Sequence, residues 1–201
     1  MKNVLIINGH QRYEQIAEGK LTKLFIDTAS DFFAEHGFNV KHSVVESNYT
    51  IQKELDKLAW ADYILFQYPV YWMGVPWLTK KYIDEVFSGG INTVTYASDG
   101  RSKEDTSKKY GSGGLMQGKK YMLSLTYNCP DTEFDNKEGF FDGLTLDEAN
   151  VATHKLFQFC GAEPLETYAI HDIFKSDLDI ESELKRFRST LEKNFLTGGS
   201  V

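Results

Sequence analysis

The sequence predicts an α/β protein built on a doubly wound, five-stranded parallel sheet of order 2-1-3-4-5. Three observations carry this. Short apolar runs rich in β-branched and aromatic residues alternate with longer stretches of helical periodicity, the pattern of strands joined by crossover helices. The runs at 3–7 and 63–68 are almost continuously apolar, as strands covered on both faces require. No internal repeat and no long linker divides the 201 residues, so residues 1–201 read as a single domain.

The elements follow in order. "NVLII" (3–7) is a buried strand ending at Asn8-Gly9. From 20 to 37, Leu21, Leu24, Phe25, Phe32 and Phe33 fall on one helical stripe, and Gly37 is the stop. "NVKHSVV" (39–45) is the second strand, a helix follows around 52–60, and "YILFQY" (63–68) is the third strand. Pro76 suits the first turn of the next helix, where Leu78, Tyr82, Ile83, Val86 and Phe87 recur at helical spacing. "KYMLSLTY" (120–127) is the fourth strand, 146–160 a helix, 163–171 the last strand and 180–195 the closing helix. The tail 197–201 is expected to fray. Between 88 and 118 lies a long loop excursion, too long for an ordinary connection and read as a functional loop or subdomain.

Composition narrows the function. With 41% hydrophobic and 25% charged residues, the chain can bury a core and is not disordered. A net charge of −7 argues against nucleic acid or an anionic membrane as partner. No apolar run approaches the roughly 18 residues of a membrane span, and the first ten residues hold too short an apolar run for a signal-peptide core. A cytoplasmic location is the expectation. Cys129 and Cys160 form no CxxC, and His10, His36, His42, His154 and His171 show no metal-ligand spacing. GxSxG is absent, and no GxGxxG follows the first strand.

Ligands of open α/β sheets bind beyond the carboxyl ends of the strands, which selects three loops. The second, "QYPVYWMGVPW" (67–77), is the most unusual: four large aromatic side chains broken by Pro69, Gly74 and Pro76. Packing alone is one reading of it. A flat cofactor is the better one, because a flavin ring needs apolar walls and peptide donors along its polar edge. Tyr71 and Trp72 supply walls, Gly74 lets the backbone approach, and Pro69 ends the strand so that Val70–Met73 are free. The third loop, "TYNCP" (126–130), offers Thr126, Tyr127 and Asn128 as donors toward negative charge on a reduced ring; a plain polar turn is the alternative. Cys129 reads as an inert thiol.

The first loop (8–24) leads into a helix whose N-terminus cradles phosphate. Its first hydroxyl other than tyrosine is Thr22, so the backbone of Glu18–Leu21, with Lys20, has to serve. That favours a diphosphate, as in FAD, over the compact dianion of FMN. In the excursion, the mixed charges of 98–109 read as a solvated loop. Tyr110 before Gly111-Ser112-Gly113-Gly114 is an aromatic placed to close over a nucleotide.

"NVLIING", "YWMGVPWLTKKYIDEVF" and "YASDGRSKEDTSKKYGSGGLMQGKKYMLSLTYN" resemble the bacterial modulator of drug activity B family, over nearly the whole chain. The resemblance implies a flavodoxin-like fold, bound FAD, two-electron reduction of quinones by NAD(P)H, and a cytoplasmic homodimer. It implies cofactor contacts from Ala17, Glu18, Gly19, Lys20, Leu21, Thr22, Lys23 and Leu24, from Val70, Tyr71, Trp72 and Met73, from Tyr110, and from Thr126, Tyr127, Asn128 and Cys129. The match is weakest at the first loop. There Gln15-Ile16-Ala17-Glu18-Gly19-Lys20-Leu21 stands in place of a His-Ser-Asn-Gly-Gln-Leu-Asn stretch, leaving backbone donors for the phosphates. The cofactor carries the chemistry, so no catalytic acid, base or metal is expected. The competing readings are a one-electron carrier of the flavodoxin kind, an FMN-dependent quinone or azo reductase, and a flavin-free binding module.

Overall fold

The computed structural model describes residues 1–175 and 177–197. The element order is β1 (Asn3–Asn8), α1 (Lys20–Glu35), β2 (Asn39–Val44), α2 (Ile51–Trp60), β3 (Tyr63–Pro69), α3 (Trp77–Gly89), β4 (Lys120–Thr126), α4 (Leu146–Ala149), α5 (Val151–Phe159), β5 (Glu163–Pro164), β6 (Tyr168–Ile170) and α6 (Ile180–Phe195). All strand pairs are parallel, in the order β2-β1-β3-β4-β5, with β6 also on β4. The expected order is therefore present. The tail 198–201 lies outside the described residues.

Strand alternation sorts the core into two layers. Leu5, Ile7, Ile64, Phe66, Leu123 and Leu125 face α2, α3 and α5, while Val4, Ile6, Leu65 and Met122 face α1 and α6. Aromatic edges lock the second layer: Phe25 meets Phe187 at 4.9 Å and Phe33 meets Phe195 at 4.8 Å, both nearly perpendicular. All of β3 is buried, which explains why its sequence shows no alternation.

Two expected elements are each divided, for local reasons. The fifth strand position is shared by β5 and β6, because Glu166 between them turns its backbone to α6. Asn194 Oδ1 accepts from Glu166 N at 3.2 Å, and Asn194 Nδ2 donates to Glu166 O at 2.9 Å. The helix expected over 146–160 breaks at Asn150 (φ −106°, ψ 19°) into α4 and α5. Thr145 and Glu148 form a capping box that starts α4.

The excursion is an ordered arm. Tyr96 bridges Gly114, Ala97 N donates to Gly113 O at 2.8 Å, and Met116 N donates to Cys160 O at 2.8 Å. Tyr96 and Tyr110 both pack on Phe159 at the end of α5. The arm lies so close to α5 that a Cβ on Gly114 would sit 2.2 Å from the Cys160 carbonyl carbon. Backbone atoms cannot yield as a side-chain tip can, so Gly114→Ala should destabilise the fold by ~1–3 kcal/mol. Urea denaturation checks this; an unchanged midpoint would mean that the arm does not pack on α5 in solution.

Candidate functional site

Loops leaving the carboxyl ends of β1, β3, β4 and β6 surround one open cavity of about 440 Å3. Its first wall is the start of α1. Gly19 opens that helix in the left-handed conformation (φ 81°), with no side-chain cap and no acidic residue in the first turn. The first helical bond runs from Lys23 N to Gly19 O, so the N–H groups of Lys20, Leu21 and Thr22 have no helical acceptor. Residues 17–22 line the cavity. Free donors and a positive helix end make a place for an anion, and the one carboxylate on this wall, Glu18, is paired with Lys20 at 2.9 Å.

His10 completes this wall. Its ring lies against Gly19, where an added Cβ would come within 3.2 Å of it. Glu46, on the loop after β2, sits 4.0 Å from His10 Nδ1. Burial nevertheless pulls the His10 pKa below the usual histidine value, with Glu46 partly opposing. The ring is therefore neutral near pH 7.

The aromatic loop forms the second wall and is tied to the first. Tyr71 OH donates to Gln11 O at 3.0 Å, and its ring packs on Tyr13 with centroids 5.6 Å apart. Gln11 Nε2 donates to Tyr13 OH, and Gln11 Oε1 accepts from Leu78 N at the head of α3. Burial raises the Tyr71 hydroxyl to about 12, so it remains a donor. Beyond Tyr71 the chain makes a two-residue turn closed by reciprocal bonds between Tyr71 and Gly74. Its corners, Trp72 (φ 48°) and Met73 (φ 64°), are left-handed, a conformation that hairpin turns usually reserve for Asn and Gly. Trp72 stands 98% exposed at the tip.

Thr126 and Asn128 supply the third wall, Ile173 and Phe174 the fourth. Val70 N donates to Thr126 O at 3.0 Å, which keeps the second and third walls in contact. Tyr127 lies beneath, buried, with its ring stacked on His171 (5.7 Å, 12°) and its hydroxyl pushed up to about 12 by burial. Burial, then Glu133 and Asp172, raise the Cys129 thiol above its usual value. It is no activated nucleophile. Among the described residues no three His, Cys, Asp or Glu cluster as metal ligands. The cavity offers a flat aromatic side chain at Tyr71 and the positive end of α1.

Of the residues selected from the sequence, Ala17, Glu18, Gly19, Lys20, Leu21, Thr22, Val70, Tyr71, Thr126 and Asn128 line the cavity. Lys23 lies outside it and pairs with Asp27, one turn along α1; Leu24 is half-buried on the helix. Trp72 and Met73 form the exposed tip, Tyr127 supports from below, and Cys129 donates to Pro130 O. Tyr110 packs on Phe159 and does not line this cavity. His10, Gln15, Ile16, Pro69, Ile173 and Phe174 line it without having been selected. The same strand-end rule, extended to the loop after the last strand, would have found Ile173 and Phe174.

A family profile for the flavodoxin-like fold matches residues 2–194. The chain is 37% identical over 193 residues to the NADPH:quinone oxidoreductase MdaB of Haemophilus influenzae, covering 96% of this chain and 99% of that one. Among solved structures, an NAD(P)H:quinone oxidoreductase from Methanothermobacter marburgensis superposes with a TM-score of 0.68 at 14% identity, covering 100% of this chain and 99% of the other. General stress protein 14 from Treponema denticola, solved in complex with FMN, gives 0.65 at 18% identity, covering 95% and 96%. At those identities the structural neighbours speak for the fold alone. With its parallel sheet in the order 2-1-3-4-5 and a profile match over nearly its whole length, the chain belongs to the flavodoxin-like family, as a relative of the MdaB oxidoreductases.

Proposed function

We propose that this protein is a flavin-dependent NAD(P)H:quinone oxidoreductase whose cofactor is FAD. The observation that carries the reading is the uncapped start of α1 facing a cavity whose opposite wall is Tyr71. The likeness to a NADPH:quinone oxidoreductase over 96% of the chain supports it. The residues present fit a flavin nucleotide. Lys20, Leu21 and Thr22 offer N–H donors to phosphate, with Lys20 adding positive charge, and Tyr71 offers a flat wall. Val70, Thr126 and Asn128 offer polar atoms where a ring's polar edge would lie.

When bound, a flavin would supply the two-electron chemistry between NAD(P)H and a quinone. The chain's own part is to bind and orient. The bond from Tyr71 to Gln11 holds the ring wall against the phosphate wall, and Pro69, having no N–H, leaves no unsatisfied donor on the cavity floor. With a single open face, the two substrates take turns, giving ping-pong kinetics. FAD is preferred over FMN because hydroxyl side chains at the phosphate wall are few, which suits a diphosphate spread along backbone donors. FMN is the second reading, favoured by the FMN complex of the Treponema denticola neighbour.

Trp72, Met73 and Trp77 are exposed together around the cavity's aromatic side. An apolar group of this size in water points to a partner surface, and a second copy of the chain would cover it while closing the flavin pocket. A homodimer in the cytoplasm is accordingly part of the proposal. No helix among the described residues is long and apolar enough to cross a membrane.

Three outcomes test this. Chromatography of the supernatant from heat-denatured protein should show FAD; FMN would overturn the phosphate argument, and a colourless protein that ignores both would overturn the flavoenzyme reading. Trp72→Ala should lower quinone turnover at least tenfold while shifting stability by less than ~0.5 kcal/mol, because the exposed side chain has no folded neighbours to lose. Equal loss of both would place Trp72 in the fold. Flavin affinity should rise as pH falls through the histidine range, because a phosphate beside neutral His10 raises its pKa and binding takes up a proton. Titration calorimetry in buffers of different ionisation heat reads that uptake, which His10→Asn should abolish.

A further inference from the structure

The break between α4 and α5 places one side chain beneath two of the four loops that wall the cavity. Asn150 is 4% exposed. Its Nδ2 donates to Leu146 O at 2.8 Å and to Tyr127 OH at 2.8 Å. The carbonyl of Leu146 can only accept, so the amide nitrogen must face that way and Oδ1 must face the other. There it lies 3.4 Å from the hydroxyl of Tyr68, which is also 3.2 Å from Thr153 Oγ1. Tyr68 comes immediately before Pro69 and the aromatic loop. Tyr127 comes immediately before Asn128. The two tyrosines are buried, and neither lines the cavity.

Between these loops the sheet ladder ends at the Pro69–Thr126 pair, and the last backbone bond is Val70 N to Thr126 O. Beyond it, the path Tyr68–Asn150–Tyr127 spans both loops from beneath. Asn150 sits where the backbone leaves helical geometry (φ −106°, ψ 19°), and its amide reaches Tyr127 just past the end of β4. We infer that Asn150 is a positioning residue that sets the separation of the aromatic loop and the 126–130 loop, and through it the grip on the flavin ring. The inference rests on the flavin reading above.

The test has two arms. In ligand-free protein, amide hydrogen exchange should quicken in both 69–74 and 126–130 in Asn150→Ala, with 8–19 unchanged. In the second arm, Asn150→Ala and Tyr127→Phe should each weaken FAD binding roughly tenfold, the order expected for one buried hydrogen bond. The double variant should be no weaker than Asn150→Ala alone, because that change already removes the bond to Tyr127 together with the contacts to Leu146 and Tyr68. Tyr127→Phe keeps the ring and its stacking on His171, so it still tests the bond if Asn150→Ala fails to fold. Exchange that quickens only within α4 and α5, an unchanged FAD affinity, or additive losses would each overturn the inference. A wild-type chain that bound neither FAD nor FMN would overturn the oxidoreductase reading, and the ligand-free arm would still judge the loop tie.

Discussion

Parallel strands joined through helices must send every strand-to-helix loop to the same edge of the sheet. In this protein that constraint brings His10, Tyr71, Asn128 and Ile173 to one cavity from segments more than 160 positions apart in the chain. None of these side chains is chemically unusual by itself. What distinguishes the cavity is the start of α1, where Gly19 removes the side-chain cap and leaves the first N–H groups of the helix to an outside acceptor. A capping aspartate there would fill the same role internally and would repel a phosphate.

Rigidity around that helix end comes from side chains that bond across loops. Thr79 Oγ1 donates to Gly9 O at 2.5 Å, Tyr71 to Gln11 O, and Leu78 N to Gln11 Oε1. Gly9 itself is pressed between Tyr68 and Thr79, where a Cβ would meet both at about 3 Å. Against this stiff frame the tip at Trp72 and Met73 stands out. Two bulky residues hold left-handed backbone and expose large apolar surface. Backbone strain of this kind clusters at functional sites.

Much of this was legible in the sequence because the signals were local. Continuous apolar strands, helical stripes and the clustered aromatics of 67–77 each reflect a single segment's environment, and the strand-end rule then selects the loops. Ten of the seventeen residues selected as cofactor contacts line the cavity. The other seven lie off the cavity wall, three of them for identifiable reasons. Lys23 and Leu24 lie past the free end of α1, where the backbone N–H groups are already spent on helical bonds, the first from Lys23 N to Gly19 O. Tyr110 belongs to an arm whose packing on α5 is set by Gly114 and Cys160, a contact no local pattern announces. His10 carries no local signal, because a lone histidine after a strand looks unremarkable until Gly19 is seen beside it. The split of the last strand and the break at Asn150 likewise depend on partners 28 and 23 positions away.

The central claim is that the first-turn N–H groups of α1 hold the phosphates of a flavin nucleotide. Amide NMR of uniformly labelled protein during FAD titration tests it directly. The account predicts that the Lys20, Leu21 and Thr22 amide protons move strongly downfield as charge-assisted hydrogen bonds form, together with shifts at Val70, Tyr71 and Asn128. Flavin binding that shifts the aromatic loop while leaving Lys20–Thr22 untouched would contradict it.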